Sequence, residues 1–266
     1  MLQYGLPVLF TLFIWWFSTG VILYLDGLPR HTFKWTMLAF TVLLGLALAG
    51  LSASKTDATE SGAYCAFTCG LLVWAWQEVA FLLGFVTGPR RTPCPPGAIG
   101  WRRARYALQA VLHHELALIV LGVAVVAATW GGVNQTGLWT YLILWAMRQS
   151  AKLNVFLGVR NLNEGFLPDH LKYLQTYFTR RPINALFPVS VTVSTLLAVA
   201  LWQAASASAA SAFQSTSLSL SAGLLSLAVL EHWFLVLPLP FEALWNWGLR
   251  SRSRLSAKAL DPKPLS

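Results

Sequence analysis

Residues 106–130 read YALQAVLHHELALIVLGVAVVAATW, and Glu115 is the only formally charged residue among these 25 positions. An α-helix crosses a bilayer with roughly 20 mostly apolar residues, so this run is long enough. Leu116 to Val123 is apolar without a break. A helix apolar on every face belongs inside lipid or among other helices, not on the surface of a soluble domain.

The rest of the chain has the same character. Of 266 residues, 56% are hydrophobic and only 11% charged, and the mean hydropathy is +0.57. Soluble domains carry about 25% charge. The charge available here is too sparse to coat a globule, which excludes both a soluble enzyme and a disordered chain. Thirteen Trp fit repeated contact with headgroups. Seven runs reach spanning length, at 4–25, 34–53, 62–87, 106–130, 138–158, 186–207 and 217–238. The first opens Met1-Leu2-Gln3-Tyr4 without a basic leader region, so it is expected to be a retained span. The fifth is interrupted by Arg148 and Lys152.

A net charge of +9 could indicate nucleic acid, but the basic residues sit between the apolar runs, where they act as topology signals. With the N-terminus outside, 18 of the 19 Lys and Arg fall on or near the cytoplasmic side and Lys55 alone lies outside. The expected fold is therefore an all-α polytopic membrane bundle of about seven helices, N-out and C-in, over residues 1–249. Residues 250–266 read as a disordered basic cytoplasmic tail. The outer loops are short and neutral. On the inner side, Thr87 to Gly97 (TGPRRTPCPPG) is held out of helix by its prolines. Leu167, Leu171, Leu174 and Phe178 recur at helical spacing and predict a short amphipathic helix, lying on the headgroups or packed on its own loop. Arg90, Arg91, Arg102, Arg103 and His170 are candidates for an interface on this side. No internal repeat supports a transporter. Cys65 and Cys69 read as small helix residues, not a metal pair.

Ionisable side chains inside a membrane are costly and usually functional. Here they fall on four spans: Gln77 and Glu78; His113, His114 and Glu115; Arg148, Gln149, Lys152 and Asn154; Glu231 and His232. At 1.5 Å per residue, Glu78, His113 and Glu231 all lie roughly 10–14 Å inside the inner boundary. One polar site in the inner half of the bundle is expected. Three chemistries are open. Glu78, Glu115 and Glu231 could neutralise Arg148 and Lys152, with Asn154 and the histidines in the same network. Glu78, His113, His114, Glu115, Glu231 and His232 could instead supply carboxylate and imidazole ligands to iron or another divalent metal, although the Glu-x-x-His of bundle di-metal sites is missing. Or His113 or His232 could be an axial ligand to haem or to the magnesium of a bacteriochlorophyll. Only one of His113 and His114 is expected to face inward, since neighbours on a helix point about 100° apart. Trp15-Trp16 and Trp74-Ala75-Trp76 read as packing or anchoring residues. No G-x-S-x-G, Walker, GxGxxG or CxxC element appears.

Five stretches carry a resemblance: WWFSTGVILYLDGLPR (Trp15 to Arg30), TGPRRTPCPPG (Thr87 to Gly97), HHELAL (His113 to Leu118), KLNVFLGVRNLNEGFLP (Lys152 to Pro168) and RRPINALFPVS (Arg180 to Ser190). Together they resemble the PuhE-type photosynthetic complex assembly protein 2 family of anoxygenic phototrophic bacteria, whose genes lie near that of the reaction-centre H subunit. The resemblance spans nearly the whole chain. It implies the bacterial inner (cytoplasmic or intracytoplasmic) membrane and a role in building the reaction centre and core light-harvesting complex. Partners would be their subunits and the lipid bilayer, with an influence on bacteriochlorophyll supply. It carries no catalytic residues to transfer. A non-catalytic assembly factor is the reading it favours; a membrane metalloenzyme oxidising or reducing a pigment or quinone is the rival.

Overall fold

The computed structural model describes residues 2–162 and 164–252. Seven long helices follow in order: α1 (Leu2–Asp26), α2 (Phe33–Ser54), α3 (Glu60–Leu82), α4 (Gly100–Thr129), α5 (Thr136–Leu157), α6 (Leu186–Ala205) and α7 (Ala212–Phe234). Short 3-10 helices occupy the connections at one end, at Arg30–Thr32, Glu164–Phe166, Asp169–Tyr177 and Phe241–Trp245. Among the described residues the only β pairing is an isolated bridge between Val159 and Arg180.

Local sequence sets the helix ends. Thr59 caps α3 by accepting from the Gly62 N–H, and Ser211 with Gln214 forms a capping box on α7. Gly158 stops α5 at φ +127, a backbone conformation open to a residue without Cβ.

The odd-numbered helices run parallel. Thr136 of α5 meets Ser217 of α7 near one end, and Ser150 meets His232 near the other. Gly70 of α3 lies against Gly137, and Glu78 reaches Arg148. Helix α4 runs opposite to α5, with Leu118 beside Tyr141 and Arg103 beside Phe156. Close approach relies on small residues: a Cβ on Gly70 would sit 2.7 Å from the Gly137 carbonyl oxygen. Helices α3 and α7 are the most buried, and α2 and α6 turn Leu38, Val42, Leu46, Val189, Val193 and Leu196 outward, as a lipid-facing surface requires.

Six of these helices are long and apolar enough to cross a membrane; α5 is not. Arg148, Gln149, Lys152 and Asn154 lower its hydropathy below that of the others. It still runs beside α3 and α7 through the depth of the bundle, with those side chains turned toward other helices rather than lipid. The protein is a multi-pass helical membrane protein.

The stretch expected as an amphipathic helix is a 3-10 helix, Asp169–Tyr177. Its residues repeat every third position, so Leu171, Leu174 and Tyr177 share one face and are buried against Phe81 and Ala110. It packs on the bundle. The TGPRRTPCPPG loop is irregular, as its prolines require, and is bound into α4. The His114 N–H donates to the Thr87 carbonyl, and the Arg90 N–H to the Gln109 carbonyl. Only glycine fits at position 88, where a Cβ would sit 2.2 Å from the Gln109 carbonyl oxygen.

The expected tail boundary at 250 needs correction at its start. Phe241–Trp245 and the helical turn that follows fold back on α1, and Trp16 and Trp245 exchange indole-to-carbonyl hydrogen bonds with Leu244 and Trp16 respectively. Arg252 then closes on Asp26 with N–O distances of 2.7, 2.7 and 2.9 Å. The remaining tail, 253–266, lies outside the described residues.

Candidate functional site

A cavity of about 1000 Å³ opens inside the bundle between α1, α3, α4, α5 and α7. Its walls are mainly apolar. Phe166, Phe178, Phe241 and Trp245 from the connections line the end where the basic loops gather. Into this cavity project Glu78, Glu115, Arg148, Gln149, Lys152, Glu231 and His232.

The polar groups fall into three sets. Arg148 donates to Glu78 at 3.1 Å, and the Gln77 amide donates to the same carboxylate at 3.3 Å. Lys152 and Gln149 both donate to Glu115, each at 2.6 Å. The spacing of Arg148 and Lys152 at i, i+4 puts both cations on one face of α5, so each takes a carboxylate from a different neighbour, α3 or α4. Low dielectric strengthens such pairs and makes an unpaired charge costly. The third set is Glu231, which receives the Trp15 indole N–H at 2.6 Å and has no ion-pair partner among the described residues. Its carboxyl group lines the open space.

The remaining candidates are placed differently. His232 is 2% exposed with both nitrogens in use: Nδ1 donates to the Ala228 carbonyl at 2.9 Å, and Nε2 bonds Ser150 at 2.9 Å. His114 faces inward, as only one of the pair was expected to do. It is 1% exposed, sits 4.6 Å from the Phe81 ring and makes no hydrogen bond through either ring nitrogen. It does not line the cavity. His113 is exposed on α4. Asn154 pairs with no charge: it bonds Ser190 and accepts from Asn184, joining α5 to the start of α6.

The donor set does not converge on a metal. Among the described residues no three His, Cys, Asp or Glu side chains come together as ligands. Axial ligation of a tetrapyrrole by His232 through Nε2 would displace its bond to Ser150 while keeping the Nδ1 bond to the Ala228 carbonyl, and His113 lies on the outer surface. What the cavity offers is an apolar enclosure, two self-neutralised ion pairs and one carboxyl group held by an indole.

Of the inner-side interface candidates, Arg90 and Arg103 are turned into the protein. Arg90 donates to the Tyr177 hydroxyl at 2.7 Å and lies over the Tyr106 ring. Arg103 lies over the Phe156 ring and donates to Thr179 and to the Phe156 and Tyr177 carbonyls. Arg91 and Arg102 are exposed. His170 is half-buried, and burial pushes its imidazole below the usual range.

The profile of a family described as "Protein of unknown function (DUF3623)" matches residues 1–256. The chain belongs to the DUF3623 family. It is similar, at 40% identity over 265 residues, to a Rhodobacter capsulatus protein described as "Uncharacterized 30.4 kDa protein in puhA 5'region". That match covers 97% of this chain and 96% of the relative. No solved structure matches it. Within this DUF3623 chain, sequence reasoning gave Trp15 an anchoring role and missed its bond to Glu231. No spacing rule could link residues 216 positions apart. The aromatic floor at Phe166, Phe241 and Trp245 was missed too, because it comes from connections rather than spans.

Proposed function

We propose that this protein is an assembly factor for the bacterial photosynthetic reaction centre and its core light-harvesting complex, of the PuhE type, working in the inner membrane with its basic end in the cytoplasm. In this reading the bundle cavity holds bacteriochlorophyll, or a comparably large apolar molecule, while complexes are built. The observation that carries it is the cavity. Ligand pockets usually measure about 300–1,000 Å³, and a volume of about 1000 Å³ walled by Phe and Trp suits a cargo at the top of that range. The location of the relative's gene, 5' of puhA, agrees with the gene neighbourhood that the family resemblance implies. The Trp15–Glu231 pair would orient a polar edge of the cargo, and the paired Glu78–Arg148 and Glu115–Lys152 would present no net charge to it. The metalloenzyme reading has less support, because its ligands are apart or already engaged.

The test is deletion of the gene in a phototrophic host, complemented by wild type and by Ala151→Phe, which fills the cavity from α5. Membranes are read for assembled reaction-centre and core-antenna absorption, with the chain quantified by immunoblot. Assembly should fall in the deletion, recover with wild type and stay low with Ala151→Phe at equal protein level. Normal assembly in the deletion strain defeats the proposal.

A further inference from the structure

A second cavity, of about 260 Å³, lies at the basic end and shares no lining residue with the first. Phe33, Leu83 and Leu171 form its apolar wall. Its polar lining is Arg30, Arg91, Thr87, His170 and Tyr173, brought together from the α1–α2 connection, the proline-rich loop and the 3-10 helix. Among the described residues no carboxylate lines it. Asp169, beside His170, is paired with Lys172 at 2.6 Å.

The hydrogen-bonding capacity of these groups is only partly used. The Arg30 and Arg91 side chains are exposed and make no hydrogen bond or ion pair with another described residue. Thr87 is 1% exposed, and its hydroxyl and that of Tyr173 face each other as a loose pair without a well-formed bond to any other group; His170 Nε2 has no well-formed bond either, its ring being drawn toward the Leu82 carbonyl. Buried polar groups are nearly always satisfied, and orphans call for an explanation. Here they cluster: both hydroxyls can donate, His170 Nε2 can do so when the ring is protonated, and two exposed guanidinium groups, whose planar fork matches phosphate, stand at the rim. Thr87 is held in place by its carbonyl, which accepts the His114 N–H at 2.9 Å. Gly84, at φ +82, lets the His170 ring close over the chain, with Nε2 3.2 Å from where a Cβ would stand.

We infer that this pocket binds a phosphate group, through Arg30, Arg91, Thr87 and Tyr173, with the His170 ring beside them. Its volume is just below that of pockets for whole small-molecule ligands and suits a headgroup. Arg30 opens the span of α2, and the Trp35 side chain, 64% exposed one turn further on, is placed as an interfacial anchor. A phosphate entering from the bilayer surface would therefore belong to an anionic phospholipid; one entering from water would be free phosphate.

The experiment uses the full chain in nanodiscs and reads thermal unfolding. One series replaces phosphatidylcholine stepwise with phosphatidylglycerol; the other keeps phosphatidylcholine and adds inorganic phosphate. Protection is expected in the first series. It should be lost in Arg30→Gln/Arg91→Gln, need at least about tenfold more ligand in Tyr173→Phe, and persist in Arg102→Gln, which alters an exposed charge outside the pocket. The same pattern in the phosphate series alone assigns the site to soluble phosphate. Protection in neither series overturns the inference. So does protection that survives both pocket variants, or that Arg102→Gln removes equally. Tyr173→Phe changes no charge and keeps the test open if the double variant does not fold.

Discussion

Removing the Arg252 side chain tests whether the C-terminal segment is part of the fold. Asp26 ends α1 with its carboxylate 1% exposed, and Arg252 is 20% exposed. Arg252 gives three N–O contacts to that carboxylate and two more, at 2.6 and 2.9 Å, to the Gly165 and Phe166 carbonyls. Arg252→Met leaves Asp26 as a buried charge without its partner, a loss of about 3–5 kcal/mol for a desolvated pair. The two carbonyls lie nearer the surface and add little. Asp26→Leu/Arg252→Met removes both charges and should cost less than Arg252→Met alone, since isosteric apolar replacement of buried pairs is often near neutral. Reversible unfolding in mixed micelles, followed by Trp fluorescence, gives the three free energies. A loss below about 1 kcal/mol in Arg252→Met, the range of surface pairs, would refute the reasoning. Additive losses in the double variant would do the same.

Gly88→Ala should destabilise by about 1–3 kcal/mol in the same unfolding measurement, because the new Cβ meets backbone of α4 at 2.2 Å and that backbone cannot yield as a side chain would. His114→Leu should leave stability equal or higher, since it deletes two desolvated nitrogens without partners; loss of complex assembly at normal protein level would instead assign His114 a chemical role. His170 makes stability depend on pH. Burial is the main cause of its lowered imidazole pKa; Arg30 and Arg252 push the same way, while the Leu82 carbonyl and Asp169 oppose them. The unfolded chain titrates near 6.5, so it takes up a proton first as pH falls. Stability is full above about 6.5 and declines below it toward the folded value. His170→Gln should flatten that decline in melting curves recorded from about pH 7.5 to 5.

The bundle was readable because lipid demands long apolar runs, and each run of the sequence coincides with a helix. The boundaries shifted where helices continue beyond the membrane. Helix α4 begins at Gly100 rather than 106, because its first turns carry Trp101, Arg102 and Arg103 outside the apolar stretch. Position 87 proved to be loop, since Gly84 and the following residues turn away from α3. For the polar site, depth along each helix predicted one level for Glu78, His113 and Glu231, but not their azimuth. Whether two groups meet depends on rotation about each helix axis and on which helices are neighbours. That is why His114 lies behind Phe81, His113 faces outward and Asn154 serves the α6 junction. The small pocket drew on Arg30, read as a topology signal, on Thr87 of the proline-rich loop, and on Tyr173, to which sequence reasoning assigned no role. Their meeting is a property of the connections, which no periodicity encodes.

In the proposed function the bundle cavity holds a large apolar cargo during complex assembly. The most direct measurement is the absorption spectrum of the affinity-tagged full chain, purified in mild detergent from pigmented membranes beside Ala151→Phe. Bacteriochlorophyll absorption should travel with the wild-type protein and be strongly reduced in the equally abundant, folded variant. A colourless wild-type protein, or pigment bound equally by both, would mean that the cavity holds no pigment.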